Sequence, residues 1–392
     1  MSGELLLTFN AGSSTVKIGL FEIRADRPQR IASGMIDFRA SPLTFRLTHG
    51  SRKVTVPLKS SAEAWDTVIA ETFEELGRDI DMTRLSATCH RVVHGGDSFA
   101  RAIRLDDASM DALAALTPLA PLHQPQNLHL IRAIRQLRPE LAQTASFDTA
   151  FHRTNNDIVR RFALPRELHD KGVKRYGFHG LSYKYIAGEL ARLAPELAEG
   201  KTVAAHLGSG ASLCAMDGGV SRDTSMGFST LDGVPMATRC GALDPGVLLH
   251  LLGQAGLPLA DLEDMLYHRS GLLGLSGISA DSRQLLQSDA PEAKQAIDVF
   301  TLRIAGEIAR LAATLGGLDA IVFTAGIGEN QPPVRAGVCA RLQWLGIALD
   351  DTANAANALK ISRNDSRIGV FVIPTDEEQV IADEGWSALA KS

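Results

Sequence analysis

Apolar positions along the chain alternate between two periods, and the changes of period mark out its elements. Leu5-Leu6-Leu7-Thr8-Phe9 is a continuous apolar run, Asn10-Ala11-Gly12-Ser13-Ser14-Thr15 is small and polar, and Val16-Lys17-Ile18-Gly19-Leu20-Phe21 alternates, so the pattern predicts strand, tight turn, strand. Short strands follow around Arg30 to Phe38 and Thr44 to Val56, separated by Ser, Pro and Gly turn signals. Trp65, Ile69, Phe73 and Leu76 recur at helical spacing behind Ser61, a residue type suited to cap them. Leu85 to Val93 reads as a buried strand that opens into His94-Gly95-Gly96, a polar exit of the kind found at ligand-binding strand ends. Helices are predicted over Asp107 to Leu116 and Asn127 to Leu137, with a Pro118 to Pro125 loop between them, and a strand over Gln143 to Phe147 delivers Asp148.

The second half begins near Ala150 and repeats the opening theme. Val203 to Leu207, Gly208-Ser209-Gly210 and Ala211 to Gly219 again form an apolar strand, a Gly/Ser turn and a second strand. Weak similarity at half a chain's separation predicts two related domains, each offering a phosphate-sized turn to a shared cleft, with a chance likeness of turn composition as the competing reading. Farther on, Ile297, Phe300, Ile304, Ile308 and Leu311 mark a long helix from Glu292 to Leu315, closed by Gly316-Gly317. Ala320 to Thr324 is a buried strand running into a glycine turn, Ala325-Gly326-Ile327-Gly328-Glu329-Asn330. A last strand, Gly369 to Ile373, leads to a terminal helix with Asp376, Glu377 and Glu378 in its first turn, where acids complement the helix dipole.

A length of 392 residues exceeds one ordinary core and supports the division into two domains. The hydrophobic fraction of 45% and charged fraction of 22% are those of a globular protein. A net charge of −5 without a basic stripe argues against a nucleic-acid partner. No apolar run approaches the roughly 20 residues of a membrane span, and Met1 to Asn10 lacks a basic leader. Cys89, Cys214, Cys240 and Cys339 are scattered with no Cys-x-x-Cys pair, the usage of a reduced, cytoplasmic protein.

Three glycine turns, two arginines in polar loops and two strand-end carboxylates are the ingredients of phosphoryl transfer, which needs positioning and charge neutralisation. The first turn differs from a Walker loop because Val16 to Leu20 is poor helix material, so an anion there would be held by backbone N–H groups near Gly12, the hydroxyls of Ser13, Ser14 and Thr15, and the Lys17 ammonium. An ordinary polar hairpin turn is the competing reading. Arg91 and Arg239 are rigid forks for a carboxylate or phosphoryl oxygen, against the alternative of surface or capping arginines. Asp148 and Glu377 are hard oxygen ligands of the sort magnesium accepts, or else a cap and a surface acid. His179 can donate to charge on a transferring phosphoryl group or serve as a structural histidine, and His90, His123, His152 and His206 are further candidates near a cleft.

Phe9 to Lys17, His90 to Gly96, Phe147 to His152, Arg175 to Gly180, Asp223 to Phe228, Thr238 to Gly241 and Phe323 to Asn330 together resemble the acetate kinase family in order and spacing over nearly the whole chain. The resemblance implies two duplicated actin-like, ribonuclease H-like α/β domains around a nucleotide cleft. They would comprise residues 1–149, completed by the C-terminal helix at about 375–392, and residues 150–374, which carry most of the nucleotide site. It implies reversible, magnesium-dependent transfer of the ATP γ-phosphoryl group to acetate, with Mn2+ as a substitute ion, in a homodimer. Carried over by residue, Asn10, Ser13, Thr15 and Lys17 form the first phosphate loop, and His206 to Ser212 resembles the second, with His206, Gly208, Ser209 and Gly210 as its binding residues. Arg91, Arg239, Asp148 and His179 are catalytic, and Arg91, Val93, Leu122, Phe178 and His123 line the acyl pocket. Asp281, Arg283, Gly326, Ile327, Gly328, Glu329 and Asn330 bind nucleotide, and Asn10, Glu377 and Asp148 attend the metal.

Several positions depart from the family pattern. Gln124 and Gln126 stand in the usual His-Asn-Pro-Pro-Asn segment, Ser209 replaces an asparagine, and Leu181-Ser182-Tyr183 stands for Thr-Ser-His. Thr230 replaces a proline, Ser282 a bulky residue near adenine, and Ala242-Leu243 an Asp-Ile pair. The alternatives are a propionate or butyrate kinase of the same family and a nucleotide-binding pseudoenzyme. An Hsp70-like chaperone would need a peptide-binding domain for which no residues remain.

Overall fold

A computed structural model describes residues 3–12, 15–61 and 63–390, which divide into two compact units, 1–151 with 376–392 and 152–375. The first unit is built on an eight-stranded sheet. In chain order its strands are β1 (Leu5–Ala11), β2 (Thr15–Arg24), β3 (Arg27–Asp37), β4 (Thr44–His49), β5 (Arg52–Pro57), β6 (Leu85–Val92), β7 (Ile103–Arg104) and β8 (Ala142–Phe147). Their spatial order is β5-β4-β3-β2-β1-β6-β8-β7. β1, β2 and β3 form an antiparallel meander, whereas β6 pairs parallel to β1 and β8 parallel to β6.

The second unit holds β9 (Lys201–Leu207), β10 (Ala211–Asp217), β11 (Val220–Thr224), β12 (Ala320–Thr324) and β13 (Gly369–Val372) in the order β11-β10-β9-β12-β13. It too is an antiparallel meander, β9 to β11, followed by parallel strands, β12 beside β9 and β13 beside β12. The five central strands of the first unit thus repeat the order and sense of the second. The two hairpins recognised in the sequence are the first two strands of each copy.

The predominantly apolar character of β1, interrupted only by Thr8 and Asn10, follows from burial on both faces. Leu5, Leu7, Phe9 and Ala11 point into the core shared with Val68, Ile69, Phe73 and Leu76 of the helix Trp65–Gly77. Leu6 points the other way, into a cluster with Phe21, Ile23, Ala87 and Ala382, against which Trp386 and Leu389 pack. Those last residues belong to the C-terminal helix Glu377–Ala390, so the chain end covers the second face of the first sheet. Each fully buried Leu or Phe contributes roughly 1.5–3 kcal/mol. The helix lies close because Gly385 has no side chain: a Cβ there would stand 2.4 Å from Cys89 Sγ and 2.8 Å from Thr144 Oγ1. With a period of two, Asn10 falls on the same face as Leu6, beneath the start of this helix.

Four expectations change. Thr44 to Val56 is a hairpin turning at Gly50, where φ is +56°, and not one strand. Ser61 does not cap the helix at Trp65; Ala64 occupies the cap position without a side-chain bond, and the Ser61 carbonyl accepts the Ala64 N–H at 3.1 Å. The helix after the proline loop begins at Gln124, since Pro125 in a first turn forfeits no intrahelical bond. Ala325 to Asn330 is a short helix and not an open glycine turn: Ala325 takes up the left-handed geometry, φ +64°, and the Glu329 carboxylate accepts the Ala325 N–H at 2.7 Å.

Candidate active site

In the first unit the strand ends collect charge. Asn10, second from the end of β1 and 6% exposed, donates from Nδ2 to Glu377 Oε2 at 2.7 Å and to Glu378 Oε1 at 2.9 Å. The first-turn acids of the terminal helix therefore do more than complement its dipole. Arg91, near the end of β6, grips Asp148 beyond β8: Nε lies 3.1 Å from both carboxylate oxygens and Nη2 2.6 Å from Oδ2. Its Nη1 donates to the Ala11 carbonyl at 2.5 Å, tying the fork to the first turn. Burial works against the Arg91 charge, but Asp148 foremost, then Glu377 and Glu378, outweigh it and hold its pKa above the ordinary arginine value. Asp148 is 1% exposed and aims the guanidinium, which keeps further N–H groups on both Nη atoms.

The turn itself is closed by Gly12 N–H donating to the Thr15 carbonyl at 2.8 Å. Ser13 lies outside the described residues. Lys17 is exposed and opposes Asn10 in the β1–β2 register. Among the acyl-pocket candidates, Val93 is buried at 1% exposure and Leu122 is 37% exposed, while His123 is the half-buried residue before the helix Gln124–Leu137. The loop after β6 is fastened from that helix: Asn127 Oδ1 accepts Val93 N–H at 3.0 Å, Gln124 Oε1 accepts His94 N–H at 3.3 Å, and Gln124 Nε2 donates to the His94 carbonyl at 3.1 Å. Thr149 Oγ1 receives Gly95 N–H at 3.0 Å. The departure at Gln124 thus keeps a clamping amide.

His90 is a core residue of this unit. It stacks on Phe9 with centroids 5.6 Å apart, bonds Gln143 Oε1 at 2.9 Å, and burial pushes its pKa down to about 4. Burial lowers His94 to about 4 as well.

The second unit brings imidazoles and hydroxyls together. His206, second from the end of β9, and His179, just before the helix Gly180–Leu193, stack with centroids 4.2 Å apart and planes at 13°. His206 Nδ1 is 2.8 Å from Ser182 Oγ, which donates to Thr375 Oγ1 at 3.0 Å. The turn after β9 is closed by Gly208 N–H donating to the Gly210 carbonyl at 3.0 Å, and Ala237 N–H holds the Ser209 carbonyl at 3.1 Å. A Cβ on Gly210 would meet His179 Nε2 at 3.5 Å and Arg239 Nη2 at 3.7 Å, so glycine leaves the space on which these two side chains converge. Arg239 is anchored by Nη1 donating to the Thr230 carbonyl at 3.1 Å, a backbone contact that the side chain at position 230 does not supply.

Phe178 is buried at 1% exposure, and its carbonyl lies 2.9 Å from His152 Nε2, with His152 Nδ1 2.9 Å from Ser221 Oγ. That makes His152 a framework residue. Asp281 caps the helix Ser282–Gln287 and is paired with Arg283, whose guanidinium foremost holds the carboxyl below its usual range. Ser282 Oγ accepts from Gln331 Nε2 at 2.7 Å. Gly326 is open, Ile327 and Gly328 are buried, Glu329 Oε1 also receives Thr375 N–H at 3.1 Å, and Asn330 Nδ2 donates to the Gly326 carbonyl at 3.0 Å.

Sequence reasoning missed Arg335, fully buried and in no ion pair among the described residues. Its guanidinium donates to the carbonyls of Gly328, Glu329 and Asn354 and to the side chains of Asn354 and Asn357 at 2.6–3.0 Å, fixing the end of the 325–330 helix. Ser212, taken from the sequence only as the end of the second phosphate loop, stands opposite His206 in the register of the second hairpin. Glu378 was named only as a dipole acid.

The sequence model of the acetokinase family matches residues 5–383. A Nitrobacter hamburgensis protein named acetate kinase is 45% identical over 389 residues, 98% of this chain and 96% of its own. A Rhodopseudomonas palustris protein of the same name is 46% identical over 390 residues, 98% of each. Among solved structures, a propionate kinase from Francisella tularensis aligns with TM-score 0.91 at 34% identity, covering 98% of this chain and 99% of that one. The acetate kinase of Porphyromonas gingivalis aligns with TM-score 0.86 at 34% identity over 98% and 100%. With its duplicated actin-like fold and a match over nearly its full length, the chain belongs to the acetokinase family.

Proposed function

We propose that the protein is an acetate kinase, which transfers the γ-phosphoryl group of ATP reversibly to acetate and yields acetyl phosphate and ADP. The observation that carries this reading is the Arg91 fork, held by Asp148 and Ala11 at the carboxyl end of β6 in a chain of the acetokinase family. A carboxylate oxygen forms the new bond to the γ-phosphorus as the bond to the β–γ bridging oxygen breaks, and the electron pair leaves with ADP. Acetate is ionised at neutral pH, so no general base is needed. The barrier is repulsion between anions, which arginines placed at the reacting oxygens offset.

In this reading Arg91 and Arg239 hold the carboxylate and the phosphoryl oxygens, Asp148 orients Arg91, and His179 donates to the oxygens that gain charge. Val93, Leu122, His123 and Phe178 bound the acyl group. In the first unit Asn10, Thr15 and Lys17, together with Ser13, are assigned to phosphate binding, and in the second unit His206 to Gly210 are. The second unit carries most of the nucleotide site, with Asp281, Arg283 and the 326–330 segment toward the base and ribose.

Among the described residues no group of three His, Cys, Asp or Glu side chains is set to hold a metal alone. Magnesium takes one or two carboxylates and completes its shell with waters and phosphates. Glu377, beside the Asn10 amide, is the fitting ligand, because Arg91 already engages both oxygens of Asp148. When bound, the ion neutralises the polyphosphate.

Leu243, Val247, Leu249, Leu252 and Leu259 are all exposed within 17 residues of the second unit, and we assign this apolar stretch to contact with a second copy of the chain in a cytoplasmic homodimer. Among the described residues no helix is long and apolar enough to cross a membrane. Incubation with MgATP and acetate, propionate or butyrate, with hydroxylamine to trap acyl phosphate, tests the function. Acetyl hydroxamate is expected in the greatest yield, and no hydroxamate from any acid would refute the reading.

A further inference from the structure

His179 faces Gly210 and Arg239 with Nε2, and what it does there depends on which ring nitrogen carries the proton. The other nitrogen, Nδ1, lies 2.8 Å from Ser212 Oγ, and that same oxygen lies 2.5 Å from the Tyr183 hydroxyl. Ser212 and Tyr183 have no exposed surface, so the hydroxyl between them is shielded from water. It has one proton to share between two neighbours. Either Tyr183 donates to Ser212 and Ser212 to Nδ1, or the chain of donors runs the opposite way. A phenol is a better donor and a poorer acceptor than an aliphatic hydroxyl, which favours the first direction. Nδ1 is then an acceptor, and the ring proton resides on Nε2.

We propose that Tyr183, acting through Ser212, is a positioning residue that holds His179 as the Nε2–H tautomer and so presents a donor toward Gly210 and Arg239. This rests on the donor role assigned to His179 above. The position is one where the chain departs from its family's pattern, with tyrosine in place of histidine. An imidazole there can donate or accept according to its own tautomer, whereas a phenol gives the chain a preferred direction. The preceding residue, Ser182, holds the stacked ring of His206 at 2.8 Å, so two successive residues in the first turn of one helix orient both imidazoles. A fixed ring with a fixed proton is what electrostatic preorganisation requires.

The test combines nitrogen NMR of histidine-labelled protein with kinetics of Tyr183→Phe, which keeps the buried ring and removes only the hydroxyl. In the parent protein the His179 signals are expected to be those of the Nε2–H form. In Tyr183→Phe they should move toward a mixture of tautomers, and kcat should fall about 10-fold, the usual scale for a partner that orients a functional ligand. KM for ATP and for acetate should stay within twofold, and thermal melting should show a folded protein. Ser212→Ala should lower kcat to a similar degree, and the double variant no further, because both substitutions cut one chain. Unchanged His179 signals in Tyr183→Phe, or losses that multiply in the double variant, would overturn the proposal. A parent spectrum showing Nδ1–H would overturn the assigned direction whatever the kinetics. Undiminished kcat in His179→Ala would remove the donor role on which the proposal rests, and the NMR signals distinguish that failure from the others.

Discussion

The ends of β1 and β9 occupy the same place in two copies of one topology, yet they carry different chemistry. Each strand has one polar residue second from its end, Asn10 in β1 and His206 in β9, and each reaches the first turns of a helix packed on its sheet. Asn10 meets the carboxylates of Glu377 and Glu378; His206 meets the hydroxyl of Ser182. Around the first lie an arginine–aspartate pair and two further acids, around the second a stacked imidazole and neutral hydroxyls. Duplication preserved the scaffold that aims a strand-end side chain at a helix start. What diverged is charge: carboxylates paired with an arginine or an amide gather in the first unit, whereas in the second the Arg239 guanidinium converges with imidazoles and hydroxyls and is anchored on the Thr230 carbonyl, where Arg91 is gripped by Asp148.

The largest effect expected from this contrast is on turnover. Arg91→Ala and Arg239→Ala should each lower kcat by about 10²-fold or more, as for a lost donor to transition-state charge. Steady-state kinetics checks this, and near-normal rates in both variants would sink the assignment of the two forks. Only the first should also destabilise, because it leaves Asp148 buried without its cation.

Acid should find the first unit. Burial holds His90 and His94 neutral, with pKa values of about 4 against an ordinary 6.5. Between those values the unfolded chain binds more protons than the native one, so the stability is fully present above about pH 6.5 and is lost as pH falls toward 4. Each histidine contributes up to roughly 3 kcal/mol of this dependence. Trp65 and Trp386 belong to the first unit, while Trp344 in the second is 72% exposed. Tryptophan fluorescence during urea unfolding therefore reports mainly the first unit, and its midpoint should be clearly lower at pH 5 than at pH 7. A midpoint independent of pH would contradict the buried neutral histidines.

A smaller change separates the two strand ends directly. Asn10→Ala should reduce MgATP turnover about 10-fold while leaving the fold intact, because it removes the amide shared by Glu377 and Glu378. Unchanged kinetics would return the first turn to being an ordinary hairpin. The smallest effect is expected of Gln124→Asn, which restores the family's residue in the clamp on His94: melting and kcat should change within about twofold or 1 kcal/mol. A larger loss would show that the loop after β6 is set by the longer amide.

Much of this architecture is legible in the chain itself, because strand-turn-strand patterns repeat half a chain apart and each central strand is apolar enough to be buried on both faces. The strand ends that carry Asn10, Arg91 and Asp148 follow from the same periodicity. What local pattern cannot give is a partner far away in sequence. Glu378 meets Asn10 only because the terminal helix crosses the first sheet, and Gly385 is what lets it lie close. Arg335 looks like a surface arginine until the 325–330 segment proves helical, with free carbonyls that need a donor. Ser61 was a reasonable cap by residue type, but the helix starts three residues later than its side chain could serve. Ser212 and Tyr183 gain meaning only once register and helix phase place them beside one imidazole.

The central claim is that the phosphoryl group passes directly from ATP to the carboxylate, steered by arginines and donors and never bonded to the protein. ATP made chiral at its γ-phosphorus with oxygen isotopes tests this most directly, by the configuration of the acetyl phosphate formed. A single in-line transfer predicts inversion at phosphorus. Retention would require two displacements through a phosphorylated side chain and would contradict the account.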